Sequence, residues 1–134
     1  LASALGVDPV PALARTAALC AADDDALSEW ASGLLAVSCE ASPAAGEGSL
    51  ALVVSEVSGA PRAVRARALR EVASRAGIRL LSGVHVDALD DLIVAWRGQG
   101  PIPLPGGRAT RVGRGTQARI LFEARSPEPT RDGG

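Results

Sequence analysis

The chain is 134 residues long with a formal net charge of −1, long enough to enclose one hydrophobic core. It holds no run of 18 apolar residues and no charged, apolar and cleavable start, so neither a membrane span nor a signal peptide is expected. The near-neutral total hides a split: residues 1–60 carry one Arg against eight acids, whereas residues 61–125 carry twelve Arg against five. A basic half of this kind can present a face to a polyanion, or can simply be a solvated surface.

Asp8-Pro9 opens the first predicted helix, with Asp as cap and Pro at the first helical position. Leu13, Cys20, Leu27 and Leu34 recur every seven residues, with Val10, Ala17, Asp24 and Ala31 as a companion seam. Cys20 on this stripe reads as a small core residue. With Cys39 as the second thiol and no Cys-x-x-Cys, a reducing cytoplasm is expected. Asp23, Asp24 and Asp25 follow one another and so point about 100° apart on a helix, which suits a solvated acidic turn better than a metal cluster. Residues 38–49 are small, polar and rich in Gly and Pro, and read as a loop or linker. Leu50 to Val54 is apolar but too short to decide between strand and buried turn.

Ser58-Gly59-Ala60-Pro61 opens a second helix that Gly77 closes. Its apolar side is Val64, Ala68, Leu69, Val72 and Ala76; Arg62, Arg67 and Arg70 lie opposite. Arg65 falls inside the apolar sector and therefore needs an anion, either a carboxylate of the first helix or a ligand phosphate. Ser82 caps a third helix running to about Trp96, with Val86, Leu89, Ile93 and Trp96 as its core stripe. His85, the single histidine, lacks a partner cluster and reads as structural near the helix start. Asp87 and Asp91 share a face near that helix's favourable N-terminal half.

The stretch Trp96–Gly107 holds four glycines and three prolines. Leu104-Pro105-Gly106-Gly107 fits a type II turn. Alternation follows, in Arg108–Val112 and Thr116–Phe122. A three-residue loop with Gly115 in the left-handed region would align Thr110 and Val112 with Ala118, Ile120 and Phe122, placing Arg111, Gln117 and Arg119 together on the other face. Ile102-Pro103-Leu104 can add an edge strand, since Pro103 has no N–H to donate. Residues 126–134 are dominated by Pro, Gly and charge and read as a disordered tail.

Catalytic patterns are missing from this stretch. Gly113-Arg114-Gly115-Thr116-Gln117-Ala118 matches a dinucleotide loop in letters, but precedes a β pattern instead of opening a helix. There is no Lys for a P-loop, no nucleophile elbow and no paired Cys or His. Arginines remain, and they suit phosphate and sugar contacts. Trp30, Trp96 and Phe122 all read as core, so recognition of shape and backbone is expected in place of base stacking.

Three stretches carry a family resemblance: Ala14–Ala21, Pro61–Arg70, and His85–Leu89 through Trp96 to Gly107. The last, with Gly98-Gln99-Gly100-Pro101 followed by Leu104-Pro105-Gly106-Gly107, is the most specific. Together they resemble the region after the catalytic domain in bacterial tRNA(Ile)-lysidine synthases, although Val72-Ala73 stand where a Trp-Leu pair is often found. The resemblance implies an ATP-dependent ligase that adenylates the wobble cytidine of an isoleucine tRNA and attaches lysine. Its Ser-Gly-Gly-x-Asp-Ser loop is absent here, so this stretch looks like the tRNA-binding part of a longer protein, with no catalytic residue, metal or cofactor of its own. ATP with Mg is expected in the upstream catalytic domain, and tRNA and that domain are the expected partners. By position, the RNA-facing residues would include Arg65, Arg70, Arg97, Gln99 and Arg108, to which the strand reading adds Arg111 and Arg119.

The expected fold is α+β and mostly α, about three main helices followed by a small antiparallel β-meander. Residues 1–39 would form a lead-in helix, 40–125 the tRNA-binding domain and 126–134 the tail. The alternatives are a helix-turn-helix DNA-binding domain, disfavoured by the acids of its third helix, and a helical protein-interaction domain using the heptad seam.

Overall fold

The computed structural model describes residues 9–125, so the Asp8 cap and the 126–134 tail lie outside the described residues. So do the side chains of residues 9–20, among them Cys20 and the first half of the heptad seam. Four helices occur in the order α1 (Pro9–Ser38), α2 (Val54–Val57), α3 (Arg62–Arg75) and α4 (Gly83–Val94). The strands are β1 (Cys39–Ala41), β2 (Leu50–Val53), β3 (Ile102–Leu104), β4 (Gly107–Val112) and β5 (Arg119–Ala124). They form one antiparallel sheet in the order β1-β2-β5-β4-β3.

The expected meander is present as β3-β4-β5, but the sheet is larger than the C-terminal alternation predicts. β1 and β2 come from the acidic half of the chain, and β2 pairs with β5 from Leu50–Phe122 to Val53–Arg119. Neither segment shows a long alternating pattern: β1 has three residues, and β2 is buried at Ala51, Leu52 and Val53 alike. Such short strands form because β5 offers β2 a ladder and β2 in turn offers one to β1, which is a tertiary effect.

One sheet face carries Leu52, Leu104, Ala109, Ile120 and Phe122 and is covered by the helices. Val64, Ala68, Leu69, Val72 and Ala73 of α3 and Val86, Leu89, Leu92 and Ile93 of α4 complete the core, with Ala31 and Leu35 of α1. All five residues of the predicted α3 stripe are buried. Asp24, which interrupts the α1 stripe, is explained by an ion pair with Arg67 of α3. The α4 stripe holds except at Trp96, which lies beyond the helix and is exposed; Trp30 is exposed as well. Of the three aromatics expected in the core, Phe122 is there.

Local chain chemistry fixes the ends. α3 closes as a Schellman motif: Gly77 N–H donates to Ser74 O at 3.0 Å and Ile78 N–H to Ala73 O at 2.8 Å. Ile78 is buried directly after it. α4 opens with a capping box in which His85 takes the place usually held by Glu: Ser82 N–H donates to His85 Nδ1 at 3.0 Å, and His85 N–H to Ser82 Oγ. The β3–β4 turn puts Gly106 at φ +83°, as a type II turn requires, and β3 is an edge strand.

The β4–β5 register differs from the expected one. Val112 pairs with Arg119 and Arg111 with Ile120, leaving residues 113–118 as a six-residue connection with a 3-10 turn at Gly115–Gln117. Three more loop residues than expected reverse the parity of one strand against the other. Arg111 therefore shares the helix-covered face with Ala109 and Ile120, while Arg119 shares the outer face with Val112 and Leu121. The expected grouping of Arg111 with Arg119 does not exist, and Gln117 lies in the connection.

Candidate nucleic-acid interface

The predicted site residues fall into two groups, those committed to the fold and those presented to solvent. Arg65 is committed. Its Nε donates to Asp90 Oδ1 at 2.6 Å, Nη2 to Oδ2 at 3.0 Å and Nη1 to Ala60 O at 2.6 Å. All three nitrogens are thus used, and the anion that its position demanded is a carboxylate of α4, not of α1. The hydrogen bond it donates to Asp90 raises the Arg65 pKa above its already high ordinary value, against the opposing pull of burial. Arg62 reaches Asp87 and Asp90 from the same helix. With Asp90 buried and Asp87 paired, α4 is a structural helix and not an open recognition helix.

Gln99 is committed as well. Its Oε1 accepts from Arg97 N–H at 2.6 Å and its Nε2 donates to Ala95 O at 3.2 Å, so it ties the chain leaving α4 into a turn. Arg111 donates from Nη1 to Leu92 O at 2.6 Å and lies 4.9 Å from the centre of the Trp96 ring. Arg119 donates to Thr116 O and Ala118 O and pairs with Glu40 at 3.4 Å. Since Glu40 and Arg119 stand opposite Ala51 and Val53 from the two flanking strands, their pair bridges β2 on the outer face.

Arg70, Arg97 and Arg108 are exposed. Arg70 donates to Leu81 O at 2.6 Å and lines a groove of about 380 Å³ with Ser74, Arg79 and Leu80. Arg108 pairs with Glu123 at 3.2 Å and lines a second groove of about 430 Å³ with Pro101, Pro103, Glu123 and Arg125. Ile78 borders the first groove and Gly107 the second, and these two residues touch. A Cβ on Gly107 would lie 2.3 Å from Glu123 O and 2.8 Å from Ile78 Cγ1, so the approach of the α3 end to the sheet requires glycine. Arg70 and Arg79 thus line one groove and Arg108 and Arg125 the other, with the buried Ile78–Gly107 contact between a residue of each. Sequence reasoning missed Arg79 and Arg125. Arg79 follows the Gly77 helix stop by two residues and Arg125 ends the last strand, and that was the available signal.

Anions held against several guanidinium groups gain charge-assisted hydrogen bonds, and a groove open along its length suits a chain of phosphates. Among the described residues no group of three or more His, Cys, Asp and Glu could hold a metal ion. No helix among them is long and apolar enough to cross a membrane.

The fold is an α+β domain carrying two arginine-lined grooves, and residues 52–116 match the family described as TilS substrate binding domain. The chain is 42% identical over 122 residues to a tRNA(Ile)-lysidine synthase of Thermobifida fusca (strain YX), covering 90% of this chain and 35% of that protein. Proteins of the same name from Streptomyces coelicolor and Salinispora arenicola are 41% and 44% identical over 79% and 80% of this chain. Residues 52–116 thus belong to the TilS substrate binding domain family, and the chain spans about a third of the length of the synthases it matches. No solved structure matches it significantly.

Proposed function

We propose that this chain is the tRNA-binding segment of an ATP-dependent tRNA(Ile)-lysidine synthase, holding an isoleucine tRNA while its wobble cytidine is converted to lysidine elsewhere in a longer protein. The observation that carries this reading is the family match over residues 52–116, which contains Arg70, Arg79, Arg97 and Arg108, all exposed. ATP and its magnesium belong to the catalytic domain, which is the segment's partner along with tRNA, and the place of work is the cytoplasm. The segment itself turns over no ATP. Of the seven residues that the sequence offers for RNA binding, Arg70, Arg97 and Arg108 are the contacts proposed here. Arg119 contributes charge at the outer face, and Arg65, Gln99 and Arg111 hold the structure that presents the others.

The test is a salt titration of binding to an isoleucine tRNA and to duplex DNA. Binding to tRNA is expected to weaken steeply with salt, because each neutralised phosphate releases counterions. Arg70→Glu, Arg97→Glu and Arg108→Glu should each lower affinity and flatten that slope. Equal affinity for duplex DNA, or no binding to tRNA, overturns the reading.

A further inference from the structure

Trp96 is a large apolar side chain that the core does not use. It follows α4, and 41% of its surface stays exposed although it belongs to the segment most specific to the family. Trp30 is more exposed still, so exposure alone singles out neither ring; what distinguishes Trp96 is the arginine packed over it.

The ring is held rigidly. The guanidinium of Arg111 lies 4.9 Å from its centre, within cation–π range. That guanidinium is itself anchored, because Nη1 donates to Leu92 O at 2.6 Å. Its Nε is buried without a hydrogen-bond partner, a cost that the ring contact partly offsets. Behind the ring, Gln99 ties Arg97 N–H and Ala95 O into one turn, with Gly98 at φ +84°. The last carbonyls of α4, whose dipole would repel phosphate, are covered by Arg111 at Leu92 O and by Arg97 and Gln99 at Ala95 O. An aromatic plate backed by one arginine and flanked by an exposed second, Arg97, is the chemistry that takes an unpaired nucleobase with its phosphate.

We infer that Trp96, backed by Arg111, is a stacking platform for one unpaired base of the bound RNA. The inference rests on the tRNA-binding reading and sharpens it: the segment recognises an unstacked nucleotide as well as backbone shape. Arg97 is placed to meet the phosphate next to that base.

The experiment uses the 134-residue chain carrying Trp30→Phe, which leaves Trp96 as its one tryptophan. Trp96 fluorescence is followed while an isoleucine tRNA transcript, or a blunt RNA duplex without unpaired bases, is added. The tRNA is expected to quench it and the duplex to leave it unchanged at equal occupancy. Trp96→Ala should then weaken tRNA binding about tenfold to a hundredfold, and Trp96→Phe much less, because a phenyl ring still stacks. If tRNA binds without quenching and Trp96→Ala binds as well as the parent, the platform is refuted while the tRNA-binding reading stands. If tRNA does not bind at all, both fall. Quenching is read with Trp96 in place, so poor folding of the alanine variant cannot imitate the expected result.

Discussion

Arg65 of α3 and Asp90 of α4 face each other through two hydrogen bonds of 2.6 and 3.0 Å, with side-chain exposures of 12% and 4%. This bidentate pair sits where α3 packs on α4 and converts two charges of the basic half into internal structure. Its parallel geometry is the one that a planar guanidinium and a carboxylate favour.

Breaking one half of the pair leaves the other charge buried. Asp90→Ala is expected to cost about 3–5 kcal/mol in urea unfolding, whereas replacing both residues together, Arg65→Met with Asp90→Leu, should be close to neutral. A small loss in the single variant would show that water reaches Arg65.

The β4–β5 register makes different predictions for two arginines that the sequence grouped together. Arg111→Met removes a charged hydrogen bond to Leu92 O and the contact with Trp96, and should lower stability by about 1.5–3 kcal/mol. Arg119→Met gives up an ion pair with exposed Glu40 and should cost no more than about 1 kcal/mol. Equal losses in thermal or urea unfolding would place the two side chains on one face after all.

Gly107→Ala should destabilise by about 1–3 kcal/mol or more, since the new methyl meets Glu123 O and Ile78 and the backbone carbonyl cannot move aside alone. Unchanged unfolding would remove Gly107 as the reason the α3 end reaches the sheet.

Burial pushes the Cys39 thiol above its ordinary value, with Arg75 pulling it down and Glu40 adding to the rise. Because the thiolate is the reactive form, alkylation of Cys39 in a Cys20→Ser background should be slower at pH 8 than in the urea-unfolded chain. Folding is favoured by the neutral buried thiol. Its contribution is present in full below the unfolded thiol's pKa and is lost as pH rises through the higher native value. Iodoacetamide kinetics against pH would show this as a native curve displaced to higher pH, and coincident curves would contradict it.

The sequence by itself determined α3 and α4, the ends at Gly77 and Ser82 and the hairpin corner. The Schellman glycine at Gly77, the Ser82 cap with His85 in support, the type II turn at Pro105-Gly106 and the stripes of α3 and α4 are all local chemistry, written within a few residues of where they act. The need of Arg65 for an anion was legible too, since its place in the apolar sector follows from helical period alone. Family membership was legible in the run from Trp96 to Gly107.

What tertiary structure decided are relations between distant segments. Asp90 became the partner of Arg65 because α4 packs on α3, β2 became a strand because β5 lies beside it and β1 because β2 does, and Ile78 reaches the sheet because Gly107 has no side chain. Strand parity depends on the length of a connection, which the letters of residues 113–118 did not fix, so the faces of Arg111 and Arg119 waited for the register. Trp96 reads as core by spacing and lies at the surface because α4 ends before it. A period tells which side of an element is apolar; where the element stops, and what then covers it, is settled by packing.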